Sequence, residues 1–214
     1  MFFSLSQSLL KKSEIFKSLR EDLIKANLMF IPENYISVII LSTLVSIGIA
    51  FLLFIFILFF SISPDFPIIG FASESISIKA VKFFWILFII PIVTVLFAYF
   101  YPSIEKSSRG RKIDQELPFA TIHMAAISGS LIDPSKIFRI ITDTKEYPNL
   151  EPEFVKLINE MNVYGYDLVS ALKRASINTP SKRLSELLNG LSTTITSGGD
   201  LPTFFEKRSQ TLLF

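Results

Sequence analysis

The sequence has no cysteine and only one histidine among its 214 residues. Without cysteine the chain can form neither a disulfide framework nor a thiolate metal site, and a single histidine excludes a histidine-rich metal centre. It also lacks the glycine-rich phosphate-binding loop of nucleotide hydrolases. The net charge of +2 is too small to favour nucleic acid as a partner. We therefore expect no catalytic residues, no metal, no cofactor and no nucleic-acid partner.

Two long segments contain no Asp, Glu, Lys, Arg or His. Ile36–Phe60 has 25 residues and Phe83–Tyr101 has 19. As helices they would be roughly 37 Å and 28 Å long, against a hydrocarbon core of about 30 Å. The pattern predicts two transmembrane helices. Because transporters and pumps place ionisable groups within the membrane, the absence of such groups argues against transport by this chain alone.

Lysine and arginine are unevenly distributed around these two segments. Residues 1–35 carry five, the loop 61–82 carries two, and four follow closely after Tyr101. The positive-inside rule predicts a multi-pass protein of the cell (inner or cytoplasmic) membrane with both termini in the cytoplasm. The predicted segments are an N-terminal amphipathic segment (1–35), a first span (36–60), an external connecting loop (61–82), a second span (83–101) and a cytoplasmic helical bundle (102–214).

The N-terminal segment shows a helical stripe of apolar residues formed by Leu5, Leu9, Phe16, Leu19, Leu23 and Ala26. Such a helix can lie on the inner leaflet, pack on the soluble domain or dock a partner. In the first span, Ser42, Ser46 and Ala50 recur every four residues, with Thr43 and Gly48 nearby. This spacing predicts close approach of another helix, from the second span or from another copy of the chain.

Residues from about 114 to the C-terminus combine helical periodicity with helix-start signals. The predicted helix starts, each a capping oxygen or a first-turn proline, are Pro118, Asp133-Pro134, Pro152, Asp167 and Thr179-Pro180. Gly165 is expected to form a turn, and Gly198-Gly199 to end one helix before Asp200 caps the next. The predicted fold class is all-α: two transmembrane helices followed by a cytoplasmic bundle of five or six helices.

Few charged or polar side chains suggest a site. His123 has no histidine partner and is expected to be a packed or solvent-edge residue of a helix. The carboxylates of Asp143, Glu146, Glu151 and Glu153 suggest a solvated acidic patch or, alternatively, a docking surface. The cluster Arg109-Gly110-Arg111-Lys112 suggests first an anchor to anionic headgroups and second a partner contact.

An ordered series of short motifs runs through the last 100 residues. The motifs are Glu116-Leu117-Pro118-Phe119, Met124-Ala125-Ala126, Gly129, Glu153-Phe154, Gly165-Tyr166-Asp167-Leu168, Ala171-Leu172, Thr179-Pro180-Ser181, Leu184-Ser185-Glu186-Leu187-Leu188 and Ser197-Gly198-Gly199-Asp200-Leu201. In this order, after a span and a basic flank, the series resembles the type II secretion system F domain. It is most similar to the archaeal branch, found in platform proteins of archaella and type IV-like pili.

The resemblance implies a non-enzymatic membrane platform that couples a secretion-type hexameric ATPase to the assembly of pilin-like filament subunits. Family members usually continue into further spans, so this chain resembles a truncated or split member that pairs with a second half or forms a homo-oligomer in contact with membrane lipids. We expect structural roles for Glu116, Leu117, Pro118, Gly129, Gly165, Asp167, Ala171, Leu172, Thr179, Pro180, Ser181, Gly198, Gly199, Asp200 and Leu201. The expected partner contacts are Arg109, Arg111, Lys112, Lys182 and Arg183. The alternative function is a membrane-anchored helical scaffold or signalling protein unrelated to filaments.

Overall fold

The computed structural model describes residues 14–27, 32–62, 69–71, 76–130 and 132–213. Within these ranges the chain forms nine helices and one pair of short strands. In chain order they are α1 (Glu14–Lys25), α2 (Pro32–Phe59), β1 (Phe60–Ile62), β2 (Ile69–Phe71), α3 (Ile76–Phe83), α4 (Ile86–Ser128), α5 (Pro134–Thr144), α6 (Glu151–Asn162), α7 (Leu168–Asn178), α8 (Lys182–Thr196) and α9 (Leu201–Leu213). The predicted all-α class is confirmed.

The chain divides into two compact units. The first consists of Met1–Leu23 and Met29–Pro102, and the second of Ile24–Leu28 and Ser103–Phe214. The boundary after Pro102 falls inside α4, which is a single helix of 43 residues. The predicted second span and the first helix of the bundle are therefore parts of one helix rather than separate elements.

The first unit contains the apolar helices. By length and composition, Asn34–Phe59 and Ala80–Ser128 are the described helical segments that could cross a membrane. Their large apolar side chains are mostly exposed in the isolated chain, with Leu52 at 67% and Phe97 at 66%. This exposure distinguishes them from the core helices of a soluble domain, whose apolar side chains are buried.

Contacts between the apolar helices begin near the start of α2. The Tyr35 hydroxyl donates a hydrogen bond of 2.7 Å to the carbonyl oxygen of Ala98, which places the start of α2 beside the end of the apolar part of α4. Ser46 and Ala50 are buried, as the predicted row of small residues requires. Gly48 has no atoms within 4 Å of the position of a Cβ, so it does not contribute to a close approach.

The segment between the two apolar helices has more structure than a plain connector. β1 and β2 pair antiparallel, with Phe60 opposite Phe71 and Ile62 opposite Ile69. α3 then precedes α4. Strands of three residues are too short to show a clear alternation of apolar and polar residues, which is why the sequence did not predict them.

The predicted N-terminal stripe is confirmed where the structure describes its side chains. Leu19, Leu23 and Ala26 are buried. Leu5 and Leu9 lie outside the described residues, as does the side chain of Phe16. The apolar stripe is therefore buried over the last two turns of α1 and in the turn after it.

The second unit packs its helices around one apolar core. α4 contributes one stripe of this core at helical spacing, and α8 contributes another. The fully buried members from these two helices are Ile113, Leu117, Ala120, Met124, Leu184, Leu187, Leu188 and Leu191. Phe138 of α5 and Phe154 of α6 pack edge to face, with ring centroids 5.3 Å apart. At about 1.5–3 kcal/mol for each large buried side chain, this core is the main stabilising contribution to the unit.

Local capping explains where most of these helices begin. The carboxylates of Asp133, Asp167 and Asp200 each accept a hydrogen bond of 2.8–3.0 Å from a backbone N–H two or three residues later. Bonds to Ser135, Ser170 and Thr203 lower the pKa of the three carboxyl groups in turn. The predicted caps at these aspartates are confirmed.

Two predicted helix starts are wrong. Pro118 lies buried in the interior of α4 rather than in a first turn. Proline favours a first turn because it lacks an N–H, but core packing can hold it inside a long helix at the cost of one hydrogen bond. Thr179 ends α7, and Ser181 is the residue that caps α8, through a bond of 2.9 Å from Leu184 N–H to its hydroxyl.

Two glycines have the positive φ that their turns require. Gly165 has a φ of +74° in the turn between α6 and α7, and Gly198 has a φ of +68° after α8. Residues other than glycine are strained in this region of backbone space. The predicted turn at Gly165 and the predicted helix end at Gly198 are confirmed.

Candidate functional site

Arg109, one of the expected partner contacts, forms an ion pair and a hydrogen bond within the second unit. Its guanidinium lies 3.2 Å from a carboxylate oxygen of Glu153 and donates to the carbonyl oxygen of Lys25 at 3.4 Å. Glu153 is 5% exposed and also accepts from the Lys156 ammonium at 3.0 Å. The prediction of Glu153 as a solvated residue is therefore wrong, and Arg109 is not free to bind a partner. The sequence could not show this, because Glu153 lies 44 residues from Arg109.

Pro180 and Ser181, between α7 and α8, lie directly against α4. A Cβ on Gly110 would be 2.9 Å from the Pro180 carbonyl oxygen, so only glycine allows this approach. One helical turn further on, the Asp114 carboxylate accepts a hydrogen bond from the Ser181 hydroxyl. Sequence analysis missed both contacts, although a glycine inside a helix is a signal of close packing.

Three cations directly follow residues of this contact in the sequence. Arg111 is exposed next to Gly110, and Lys182 and Arg183 are exposed in the first turn of α8, directly after Ser181. We call these three residues the basic surface. Arg111 donates to the Ser107 hydroxyl at 2.9 Å, but none of the three forms an ion pair with a described carboxylate. Their charges are therefore available to an anionic partner.

Lys112 does not belong to the basic surface, although it is exposed and follows Arg111. Successive residues of a helix are rotated by about 100°, so Lys112 lies roughly 200° around α4 from Gly110. It is thus on the flank opposite to the contact with Pro180. The structure separates the expected partner residues into a surface with Arg111, Lys182 and Arg183, a second flank with Lys112, and the internal Arg109.

A groove of about 510 Å³ is lined in part by α8. It is lined by Lys25, Lys173, Ser176, Ile177, Ser185 and Asn189. Ser185 and Asn189 lie three and seven residues after Lys182, on the same side of the helix. The Ser176 hydroxyl donates to the Asn189 side-chain oxygen at 2.9 Å, which orients the amide. Lys25 and Lys173 extend the positive charge beyond the basic surface.

His123 lies at the solvent edge of α4, as predicted. Its Nδ1 is 3.3 Å from the Tyr147 hydroxyl and 3.5 Å from a carboxylate oxygen of Glu146. Burial raises the pKa of Tyr147, and the Glu146 charge raises it further. Asp143 and Glu146 are exposed, as the predicted acidic patch requires, while Glu151 is half-buried. Within the described ranges, no group of three His, Cys, Asp or Glu residues could hold a metal ion.

Glu116 holds the start of α6. Its carboxylate accepts from the backbone N–H groups of Asn149 and Leu150 at 3.0 Å, and from the Asn149 side-chain amide at 2.5 Å. Leu150 occupies the N-cap position and has no side chain that can cap the helix. A carboxylate from α4 thus supplies the negative charge and the acceptors that a helix start favours. The resemblance indicated a structural role for Glu116 but not this one, because its partners lie 33 and 34 residues away.

Comparisons with known proteins give two archaeal relatives. The chain matches no family model, and no solved structure matches it significantly. It is 23% identical over 121 residues to the uncharacterized protein MJ1286 of Methanocaldococcus jannaschii, which is 56% of this chain and 20% of that protein. It is 27% identical over 95 residues to the uncharacterized protein MJ0780 of the same organism, which is 44% of this chain and 28% of that protein. The chain therefore spans less than a third of the length of either relative.

Proposed function

We propose that this chain is a membrane platform component of a type II secretion, type IV pilus-like or archaellum assembly machine. In this role it couples a cytoplasmic hexameric ATPase to the assembly of pilin-like filament subunits and performs no chemistry of its own. The remaining part of the platform comes from a second half or from further copies of the chain. α2 and the apolar part of α4 contact membrane lipids.

This proposal is supported by where the motifs shared with the F domain lie in the structure. Glu116, Gly165, Asp167, Ser181 and Asp200 each determine a helix start or a turn in one unit. A set of motifs that resembles the F domain thus acts together to build a single helical bundle. Both relatives come from an archaeon, and the resemblance is to the archaeal branch.

The exposed cations suggest how the coupling takes place. We assign the ATPase contact to the basic surface, because long-range attraction between charges steers association and fixes orientation. α4 has residues in both units, since the boundary after Pro102 lies inside it. Movement of the bundle during nucleotide hydrolysis would pass along α4 to the apolar helices, where filament subunits enter or leave the membrane.

The proposed topology predicts which residues are accessible from outside the cell. Because the chain has no cysteine, single cysteines can be introduced without a background signal. We expect Ser73→Cys to react with a membrane-impermeant maleimide in intact cells, because the positive-inside rule places the loop outside. Ser130→Cys in the second unit should react only after permeabilisation. Labelling of Ser130→Cys in intact cells would show that the proposed orientation is wrong.

The partner proposal predicts co-purification with the secretion-type ATPase of the same organism. The tagged full chain, extracted gently from membranes, is expected to retain the ATPase. Arg111→Glu combined with Lys182→Glu and Arg183→Glu should reduce retention about tenfold or more, because a like charge replaces an attractive one at three neighbouring positions. The loss should be greater at low ionic strength, where electrostatic attraction is less screened.

Lys112→Glu is the matched control for this experiment. It reverses one charge, so it is compared with Arg111→Glu alone, which makes the same change on the adjacent residue of α4. Retention should fall in Arg111→Glu and stay within about twofold of the unmodified chain in Lys112→Glu, which lies opposite the contact with Pro180. Equal losses in both variants would show a general charge effect and contradict the assignment to the basic surface. Failure of the unmodified, folded chain to retain the ATPase, together with normal filaments in cells lacking the chain, would contradict the platform role and favour a helical scaffold or signalling protein.

A further inference from the structure

A second groove of the second unit lies between α5 and α6, and none of the basic-surface residues lines it. It has a volume of about 260 Å³. Its lining consists of Ser135, Lys136 and Arg139 from α5 and Ile158, Met161 and Asn162 from α6. Sites for drug-sized molecules and cofactors usually measure about 300–1,000 Å³. The groove is therefore large enough for side chains of another protein but small for such a ligand.

Two cations stand on one side of this groove. Lys136 and Arg139 are three residues apart on α5, so they share one face of the helix. Both are exposed, and neither forms an ion pair with a described carboxylate. Asp143 follows one turn after Arg139 on the same helix and is exposed as well.

Besides Asp143, the acidic groups near the groove already have other partners. Asp133 caps α5 by accepting hydrogen bonds from the backbone N–H and the hydroxyl of Ser135. These bonds are the main cause of its lowered pKa, and the positive charge of Lys136 is a smaller cause. Glu160 of α6 is paired with Arg174 at 2.8 Å. The lining itself carries no acidic residue. The lining thus carries two positive charges and no negative charge, with Asp133 and Asp143 at the two ends of α5.

The α6 side of the groove consists of two apolar side chains and the amide of Asn162. Ile158 and Met161 are half-buried and pack against the core, so they form a fixed floor. Val163 and Tyr164 follow directly after Asn162 and are 71% and 69% exposed. Neither belongs to the lining of the groove. Large exposed apolar side chains are typical of protein interaction sites, and tyrosine is enriched in them.

We propose that the groove between α5 and α6 binds an acidic segment of a partner protein, with apolar side chains on Ile158 and Met161 and carboxylates beside Lys136 and Arg139. The charge of the lining selects acidic partners, and the floor selects those with an apolar side chain at the same position. Two cations are too few to hold nucleic acid, whose binding depends on many phosphate contacts. This inference does not require the platform function.

A synthetic peptide of about 15 residues, with leucines at helical spacing flanked by glutamates, tests the inference. Binding of the fluorescent peptide to the full chain in detergent micelles is measured by anisotropy. We expect saturable binding that weakens about tenfold or more in the Lys136→Glu/Arg139→Glu variant, since repulsion replaces attraction. Tyr164→Ser should also weaken binding, because it removes exposed apolar surface without changing charge.

The control variant is Lys182→Glu/Arg183→Glu, which makes the same charge change on the basic surface. It should leave peptide binding unchanged while it reduces ATPase retention, so that this inference and the proposed function can fail separately. A peptide with lysine in place of glutamate should not bind, and one with serine in place of leucine should bind more weakly. The inference is overturned if the unmodified chain does not bind the acidic peptide or if both double variants weaken binding equally. It is also overturned if the Lys136→Glu/Arg139→Glu variant binds phosphatidylserine vesicles more weakly but binds the peptide as well as the unmodified chain does.

Discussion

Replacing Gly110 by valine is expected to destabilise the second unit by about 3 kcal/mol, since overpacking of a tight contact costs about 1–3 kcal/mol and a branched side chain is at the upper end. The new Cβ would lie 2.9 Å from the Pro180 carbonyl oxygen and 3.4 Å from its carbonyl carbon. Both neighbours are backbone atoms, so the contact cannot be relieved by a change of rotamer. Helix propensity alone would predict that replacing this glycine stabilises the chain, because glycine in an exposed helix interior is unfavourable by about 1 kcal/mol relative to alanine. The contact with Pro180 predicts the opposite change in stability.

Hydrogen exchange of the full chain in detergent micelles, followed by mass spectrometry, measures this effect. Protection in α7 and α8 should fall about a hundredfold, since each 1.4 kcal/mol corresponds to a factor of ten. Gly110→Ala should show a smaller loss. Gly129→Ala is the matched control, because its Cβ would meet atoms no closer than 3.6 Å. Unchanged protection in the Gly110→Val variant would show that α4 and the segment at Pro180 do not pack as described.

Replacing Glu116 by alanine is expected to destabilise the second unit by about 3 kcal/mol. The change leaves the Asn149 N–H without its acceptor and leaves the Leu150 N–H with only the Tyr147 carbonyl oxygen at 3.1 Å, and hydrogen bonds to a charged group contribute about 1.5–3 kcal/mol. It also removes a negative charge from the start of α6, where the helix dipole favours one. Leu150 offers no side-chain cap, although Glu151 and Glu153 still place negative charge in the first turn.

The same exchange measurement should show the loss first in α6. Glu116→Gln keeps one acceptor oxygen but not the charge, so its effect should lie between those of alanine and the unmodified chain. Glu186→Ala removes an exposed carboxylate and should change stability by less than about 0.5 kcal/mol. If Glu116→Ala leaves α6 as well protected as before, the carboxylate does not hold this helix start, and its place in the motif would have another reason.

The helix starts show how far local sequence information reaches. Asp133, Asp167 and Asp200 were predicted as caps because a cap and its N–H partner lie within three residues of each other. At Thr179-Pro180 the prediction placed the helix start at Thr179, and this was wrong. Ser181 caps α8 in the structure, and its hydroxyl also bonds to Asp114, which is 67 residues away. The bond to α4 is a contact that local sequence does not show.

The candidate partner residues show that neighbours in the sequence can have different environments in the structure. Arg109, Arg111 and Lys112 form one basic cluster in the sequence, yet each has a different environment in the structure. Arg109 pairs with buried Glu153, Arg111 lies on the flank next to Pro180, and Lys112 lies on the opposite flank. Charge alone predicted that the cluster could bind an anionic partner. Their different positions around α4 are the reason that we assign Arg111, and neither Arg109 nor Lys112, to the basic surface.

Sequence patterns predicted the properties that depend on nearest neighbours and on segment length. These are the two uncharged segments long enough to span a membrane, the helical periodicity of the bundle, the aspartate caps and the glycine turns. The tertiary structure alone decided the roles of Gly110, Glu116 and Arg109, and with them the positions of the basic surface and the groove between α5 and α6. The physical reason is that hydrogen bonds along one helix act within a few residues, whereas packing joins residues 33 to 70 positions apart that share no local pattern.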